Sequence, residues 1–232
     1  MDLTPGYREL RPPAALRGVI ECLWVRVTEA GDQMRVVPDA CTDVIWRRGE
    51  GTTIAGPDTT AKLVSRTPGD VRIGIRFLPG AGGGALGVPL DQLRDQRIDV
   101  AEVDRAFDLD GEMAPGEVIA RFVSAAAGRQ GDELVAAAAR RVAEQEVGAV
   151  ALDLGLSERQ LRRRFHAAVG YGPKTLARVL RFRRFVDAVD RRRTDLARLA
   201  LDAGYADQAH LTRESTRLAG LPPAALIRAR GV

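Results

Sequence analysis

The stretch ALDLGLSERQLRR, running from Ala151 to Arg163, returns as ALDAGYADQAHLTR from Ala200 to Arg213. Gly155 and Gly204 stand 49 residues apart and Leu161 and Leu211 stand 50 apart, so the second copy has one extra residue in its turn. Each copy reads as a short helix, a turn at glycine, a polar N-cap and a second helix. Glycine suits that turn because positive φ brings it no Cβ clash. Ser157 is a good N-cap with Gln160 three residues on, the spacing of a capping box, and Asp207 caps the second copy. Leu161 with Phe165, and Leu211 with Leu218, turn apolar side chains inward at helical spacing. This is the sequence form of a helix-turn-helix, whose second helix enters the major groove of DNA.

That reading leaves Arg159, Arg162 and Arg163 facing outward on the first recognition helix, with Gln208, His210, Thr212 and Arg213 on the second. Arg donates two hydrogen bonds to guanine and Gln pairs with adenine, which makes these seven the candidates for base contacts. Ser157, Arg164, Arg178, Arg181, Arg183, Arg184 and Asp207, with the run Arg191–Arg193, are the candidates for phosphate contacts. Such contacts add affinity without sequence information. Charge is divided in the same sense. Residues 132–232 hold 19 Lys+Arg against 12 Asp+Glu, whereas residues 1–131 hold 16 against 19. A basic rear half behind an acidic-leaning front fits a sensor joined to a polyanion binder.

The front half has the other periodicity. Val71, Ile73, Ile75 and Phe77 alternate with Arg72, Gly74 and Arg76, as in a strand with one buried face. Residues 20–28, 33–37, 42–47, 52–55 and 62–66 are further strand candidates between Gly, Pro and Asp turn signals. Six short strands at this spacing predict an antiparallel barrel or sandwich. A helix is expected over 116–127, a connector over 125–132, and only helices after it. With 232 residues, two core-bearing domains fit, at 1–128 and 132–232.

Enzymatic readings find little to stand on. Gly82, Gly84 and Gly87 satisfy a dinucleotide-type spacing, but Val88-Pro89-Leu90 interrupts the helix it needs and no parallel strand follows. A turn into a short helix is the expectation. His166 and His210 both fall on recognition helices, and there is no nucleophile elbow, phosphate loop or metal-ligand pair. Asp39 with Asp43 as an acid/base pair, as in glycosidases, has no supporting signal beside it. Cys22 and Cys41 are too few for a structural zinc site and sit in apolar, strand-like contexts, so buried inert thiols are expected. No apolar run approaches the roughly 20 residues of a membrane span. Nor does Met1-Asp-Leu-Thr-Pro5 have the basic and apolar regions of a secretory signal, so a cytoplasmic protein is expected.

The last hundred residues resemble the DNA-binding module of the AraC/XylS family of bacterial transcription regulators. The resemblance rests on Gly155-Leu-Ser157, Leu161, Arg163, Phe165 and Gly170-Tyr-Gly-Pro173, and again on Gly204-Tyr205, Asp207-Gln208, His210-Leu211, Arg213 and Gly220-Leu-Pro222. It implies two helix-turn-helix units joined by a long helix, 173–190, that presents both recognition helices to one side of DNA. It also implies promoter regulation. The front half resembles an uncharacterised domain found ahead of such modules, through Val37–Trp46, Gly56-Pro57 and Arg76–Gly80. In the wider family that position is often a small effector-binding or dimerising β-barrel. The fold class expected is therefore α+β: an N-terminal antiparallel β-barrel or sandwich, cupin-like, and a C-terminal all-α double helix-turn-helix.

Trp24, Asp39, Asp43, Trp46 and Arg76 combine apolar walls with polar fixing groups and are the candidate effector pocket. The partners implied are double-stranded DNA and a small-molecule effector, with a homodimer and, for an activator, RNA polymerase. No cofactor or metal ion is expected. The alternative is a constitutive or architectural DNA binder whose front domain serves only dimerisation or partner contacts. One departure stands out. The family pattern places Phe where this chain has Ser215, and a Phe lost from an established core costs about 3–5 kcal/mol. Either Leu218 and its neighbours repack or the second unit is looser, and the expectation is weaker or ligand-dependent engagement by the second recognition helix.

Overall fold

The computed structural model describes residues 3–190 and 195–230, so the run Arg191–Arg193 lies outside the described residues. Among the described residues eight strands lie in the front half: β1 (Gly6–Leu10), β2 (Ile20–Val27), β3 (Asp32–Val36), β4 (Thr42–Arg47), β5 (Gly51–Ala55), β6 (Lys62–Arg66), β7 (Val71–Phe77) and β8 (Arg97–Asp99). Six of them form one antiparallel sheet in the order β1-β2-β7-β4-β5-β8, and β3 pairs with β6 as a separate ribbon. The alternation at Val71–Phe77 thus belongs to a central strand. Sheet and ribbon together, rather than a closed barrel, enclose the space between them, and β1 and β8 are the sheet's edges.

Register sorts the side chains into two faces. Val25, Ile73 and Trp46 stand in one row and Leu23, Ile75 and Val44 in the next. This face is the core, closed by Phe107 and by Val118 and Phe122 of α2 (Pro115–Ala126). Phe77, Phe107 and Phe122 meet in sequence at 6.0 and 6.2 Å between ring centroids. The opposite face carries the rows Trp24–Gly74–Ile45 and Cys22–Arg76–Asp43, a polar surface with one indole laid across it.

The elements of the rear half, among the described residues, are helices: α3 (Glu133–Arg141), α4 (Val147–Asp153), α5 (Glu158–Val169), α6 (Pro173–Asp190), α7 (Leu196–Asp202), α8 (Gln208–Ala219) and α9 (Pro223–Ala229). Helix α6 buries Leu176, Val179, Phe182, Phe185, Val186 and Val189, a stripe at three- and four-residue spacing that forms the spine of the second apolar core. Leu161 and Phe165 pack onto it from the first unit, Leu199, Leu211 and Leu218 from the second.

The glycine-rich stretch does become a short helix, α1 (Gly82–Leu86), but its glycines serve close approach. A Cβ at Gly83 would lie 2.5 Å from the Ala167 carbonyl oxygen on α5, and one at Gly84 would lie 2.3 Å from that of Gln130. The connector is therefore packed down on this platform. Its last residue, Asp132, donates its backbone N–H to the Gly80 carbonyl, caps α3 through Val135 and ion-pairs with Arg164 at 3.1 Å.

Ser215 is fully buried, and its hydroxyl donates to the Leu221 carbonyl at 2.7 Å. Leu211, Leu218, Ala219 and Leu226 fill the core beside it. The second unit has repacked around a small polar residue that also ties off the end of α8. Restoring the family's aromatic is then an overpacking change: Ser215→Phe should destabilise the chain by about 1–3 kcal/mol, read by chemical denaturation. A variant more stable than the wild type would contradict this packing.

Candidate nucleic-acid interface

Both turns have the backbone their glycines suit, with φ of 66° at Gly155 and 88° at Gly204. Helix α5 starts in a full capping box: Gln160 donates its backbone N–H to the Ser157 hydroxyl at 3.2 Å, and Ser157 donates its own to the Gln160 side chain at 2.8 Å. Asp207 caps α8 by accepting the His210 N–H at 2.6 Å. The caps leave the N-terminal halves of both helices in solvent. Arg159, Arg162 and Arg163 are exposed on α5, and Gln208 and Arg213 on α8. These five stand where the spacing put them.

Two of the residues expected to contact bases are less free. His210 is half-buried, edge-on to Tyr205 at 5.1 Å between rings. Thr212 is half-buried too, and its hydroxyl donates to the Gln208 carbonyl. Arg217, outside the set expected from the sequence, is exposed one turn beyond Arg213. It continues the same stripe, which the four-residue step alone could have revealed.

The cations chosen for phosphates have partners inside the protein. Arg164 meets Asp132, Arg184 lies 3.6 Å from Glu144, and Arg181 sits over the Tyr205 ring at 5.7 Å. Arg178 Nε lies 2.9 Å from Glu214 Oε2, tying α6 to α8. Arg183 joins Glu21 on β2, which also accepts from the Cys41 thiol at 2.9 Å. All five are half-buried. Ser157 and Asp207 remain exposed, with their side chains engaged as caps. Intramolecular ion pairs compete with any phosphate, and these arginines tie the two units to each other and to the front domain.

Away from this surface, a cavity of about 350 Å³ lies between the polar face of the sheet, the β3–β6 ribbon and α6. Trp24, Asp39, Asp43 and Arg76 line it. Trp46 does not: it faces the core and donates its indole N–H to the Asp110 carbonyl at 2.8 Å. Trp24 lies against Gly74, where a Cβ would come within 2.2 Å of the indole. Arg76 forks onto Asp43 at 3.1 and 3.2 Å and reaches Asp39 at 3.5 Å. Burial raises the Asp43 carboxyl above its usual range, with Arg76 opposing and Asp39 adding to the rise. Among the described residues no cluster of three or more His, Cys, Asp or Glu could hold a metal ion, and no helix is long and apolar enough to cross a membrane.

Residues 150–229 match the family described as "Helix-turn-helix domain", and residues 8–99 match "Domain of unknown function (DUF6597)". No curated protein matches the chain. Among solved structures, the chain is similar to ToxT from Vibrio cholerae O395 at 8% identity and a TM-score of 0.48, covering 88% of this chain and 96% of that one. The unsaturated fatty acid bound wild-type ToxT of strain SCE256 gives 8% identity and 0.47, covering 87% and 96%. The chain thus carries a helix-turn-helix domain over residues 150–229, behind a domain of unknown function over residues 8–99.

Proposed function

We propose that this chain is a sequence-specific DNA-binding transcription regulator of the AraC type whose front domain, 1–128, takes a small-molecule effector, and whose rear domain, 132–232, reads DNA with α5 and α8. The observation that carries this reading is the pair of capped helices with exposed base-reading side chains at matching places, Arg159, Arg162 and Arg163 on one, Gln208 and Arg213 on the other. On DNA the two helices occupy successive major grooves, about 34 Å apart. The cavity beside Trp24, Asp39, Asp43 and Arg76 is the effector site, and a homodimer and contact with RNA polymerase belong to the same reading.

Selection of binding sites from random duplex DNA by the full chain tests the class. One enriched motif with two half-sites about one helical turn apart is expected, and no enrichment would overturn the proposal. On the selected site Arg163→Ala should weaken binding about 5- to 150-fold and relax preference at one base position, the cost of roughly 1–3 kcal/mol for a bidentate contact. Arg217→Ala should weaken all sequences alike and lower the salt slope by about one. Equal loss of preference from both would refute the division between reading and anchoring.

A further inference from the structure

The front domain holds the two recognition helices in different ways. The end of α5 is chiefly wedged, with one long hydrogen bond from Arg94 Nη1 to the Gly170 carbonyl at 3.4 Å. Gly170 sits where a Cβ would come within 2.4 Å of the Pro57 ring, Ala167 lies against Gly83, and Tyr171 is buried at 2% exposure. The end of α8 is hung by hydrogen bonds. Ala61 donates its backbone N–H to the Leu218 carbonyl at 2.7 Å, and Arg35 Nη1 donates to the Ala219 carbonyl at 2.9 Å. The last carbonyls of a helix have no partner within it and carry its negative dipole end, so a guanidinium there both satisfies and stabilises them.

Arg35 lies on β3 and Ala61 immediately precedes β6, so both donors belong to the ribbon. The ribbon has no strand pairing with the main sheet. One tie between them is Arg72 of β7, which donates to the Ser65 carbonyl at 2.9 Å. Among the described residues no carboxylate lies within ion-pair reach of Arg35. Met34, Arg35, Val36 and Val64 also wall the cavity, so the element that seats α8 is the one a cavity ligand would touch.

We propose that the β3–β6 ribbon positions the second recognition helix on DNA, with Arg35 and the Ala61 N–H as the positioning groups, while α5 is fixed independently of it. The inference rests on the DNA-reading function proposed above. It makes the ribbon the route by which cavity occupancy reaches α8.

The test uses the full chain and the selected site, with each half-site scrambled in turn. The wild type should lose about tenfold or more in affinity when either half-site is scrambled. The double variant Arg35→Ala, Ala61→Pro should lose less than about threefold on scrambling the second half-site and keep the full penalty at the first. Arg35→Lys, which retains a cation at the helix end, should restore most of the second penalty when Ala61 is left in place. Hydrogen exchange supplies a readout without DNA: amides of α8 should exchange faster in Arg35→Ala and those of α5 should not. An unchanged second half-site penalty, parallel loss at both half-sites, or equal exchange changes in α5 and α8 would overturn the proposal. If no DNA sequence is enriched, the regulator reading fails, and the exchange experiment still decides whether the ribbon seats α8.

Discussion

Phe165→Ala is expected to lower stability by about 3–5 kcal/mol and to abolish binding at the first half-site. Phe165 is fully buried in the second apolar core, four residues beyond the equally buried Leu161. Removing the ring empties a space that the neighbouring helices cannot close, because α5 is wedged against α1 on its other side by Gly83 and Ala167. Losses of this size come from the transfer term plus the cavity left behind. A thermal melt of the full chain should show a fall of roughly 10 °C or more. A fall of only a degree or two would mean that the first unit is not packed through this residue. Ser215 gives the comparison: the equivalent position in the second unit already lives without the ring, because a hydroxyl-to-carbonyl bond takes its place.

The second large effect is expected at the junction between β2 and α6. Arg183 reaches across to Glu21, the Asp39 carbonyl and the Cys41 sulfur, and both side chains of the ion pair are only about a quarter exposed, at 27% and 25%. Glu21→Gln leaves a largely buried guanidinium without its counter-charge and should cost about 3 kcal/mol, the low end for a broken buried pair. The effect has a definite pH dependence. Burial by itself would raise the Glu21 carboxyl, but the hydrogen bond and charge of Arg183, with the Cys41 thiol, outweigh it and the net shift is downward from 4.5. A lowered folded value means the stabilisation is fully present above pH 4.5 and is lost as pH falls through the folded value. Denaturation curves of wild type and Glu21→Gln should differ most near neutral pH and converge as pH falls through the lowered folded value of Glu21. A difference that persists unchanged into acid would show that the carboxylate's charge is not what holds α6 to the sheet.

What could be read directly from the sequence was whatever is decided locally. A helix-turn-helix needs its turn glycine, its N-cap and its inward leucines within a dozen residues, so Gly155, Ser157 and Leu161 sufficed to place the unit. Strands of five or more residues with alternation or β-branched runs were placed to within a residue or two. Missed were β1, an exposed edge reading GYREL, and β8, three residues long, since neither has a buried face to impose a pattern. Features decided at long range were hidden. The glycines from Gly80 to Gly84 look like slack until the connector and α5 are laid on them. Trp24 and Trp46 look alike until register puts one beside Gly74 and the other beside Ile73. The partners of the arginines expected at phosphates were hidden for the same reason: Asp132, Glu144, Glu214 and Glu21 lie from 32 to 162 residues away from them, and nothing local announces them.

The wedge at Gly170 and Tyr171 also governs how this chain can be dissected. Cutting at Asp132 to obtain the rear half alone would expose Ala167, Ala168 and Gly170, which now rest against Gly83, Pro57 and Leu90 of the front half. Such a fragment would begin life with a greasy flank, and the ends of α5 and α8 would lose the donors Arg94, Arg35 and Ala61. Clumping in the test tube should therefore be read as a wound left by the cut, and weak DNA binding by the fragment would say little about the intact chain.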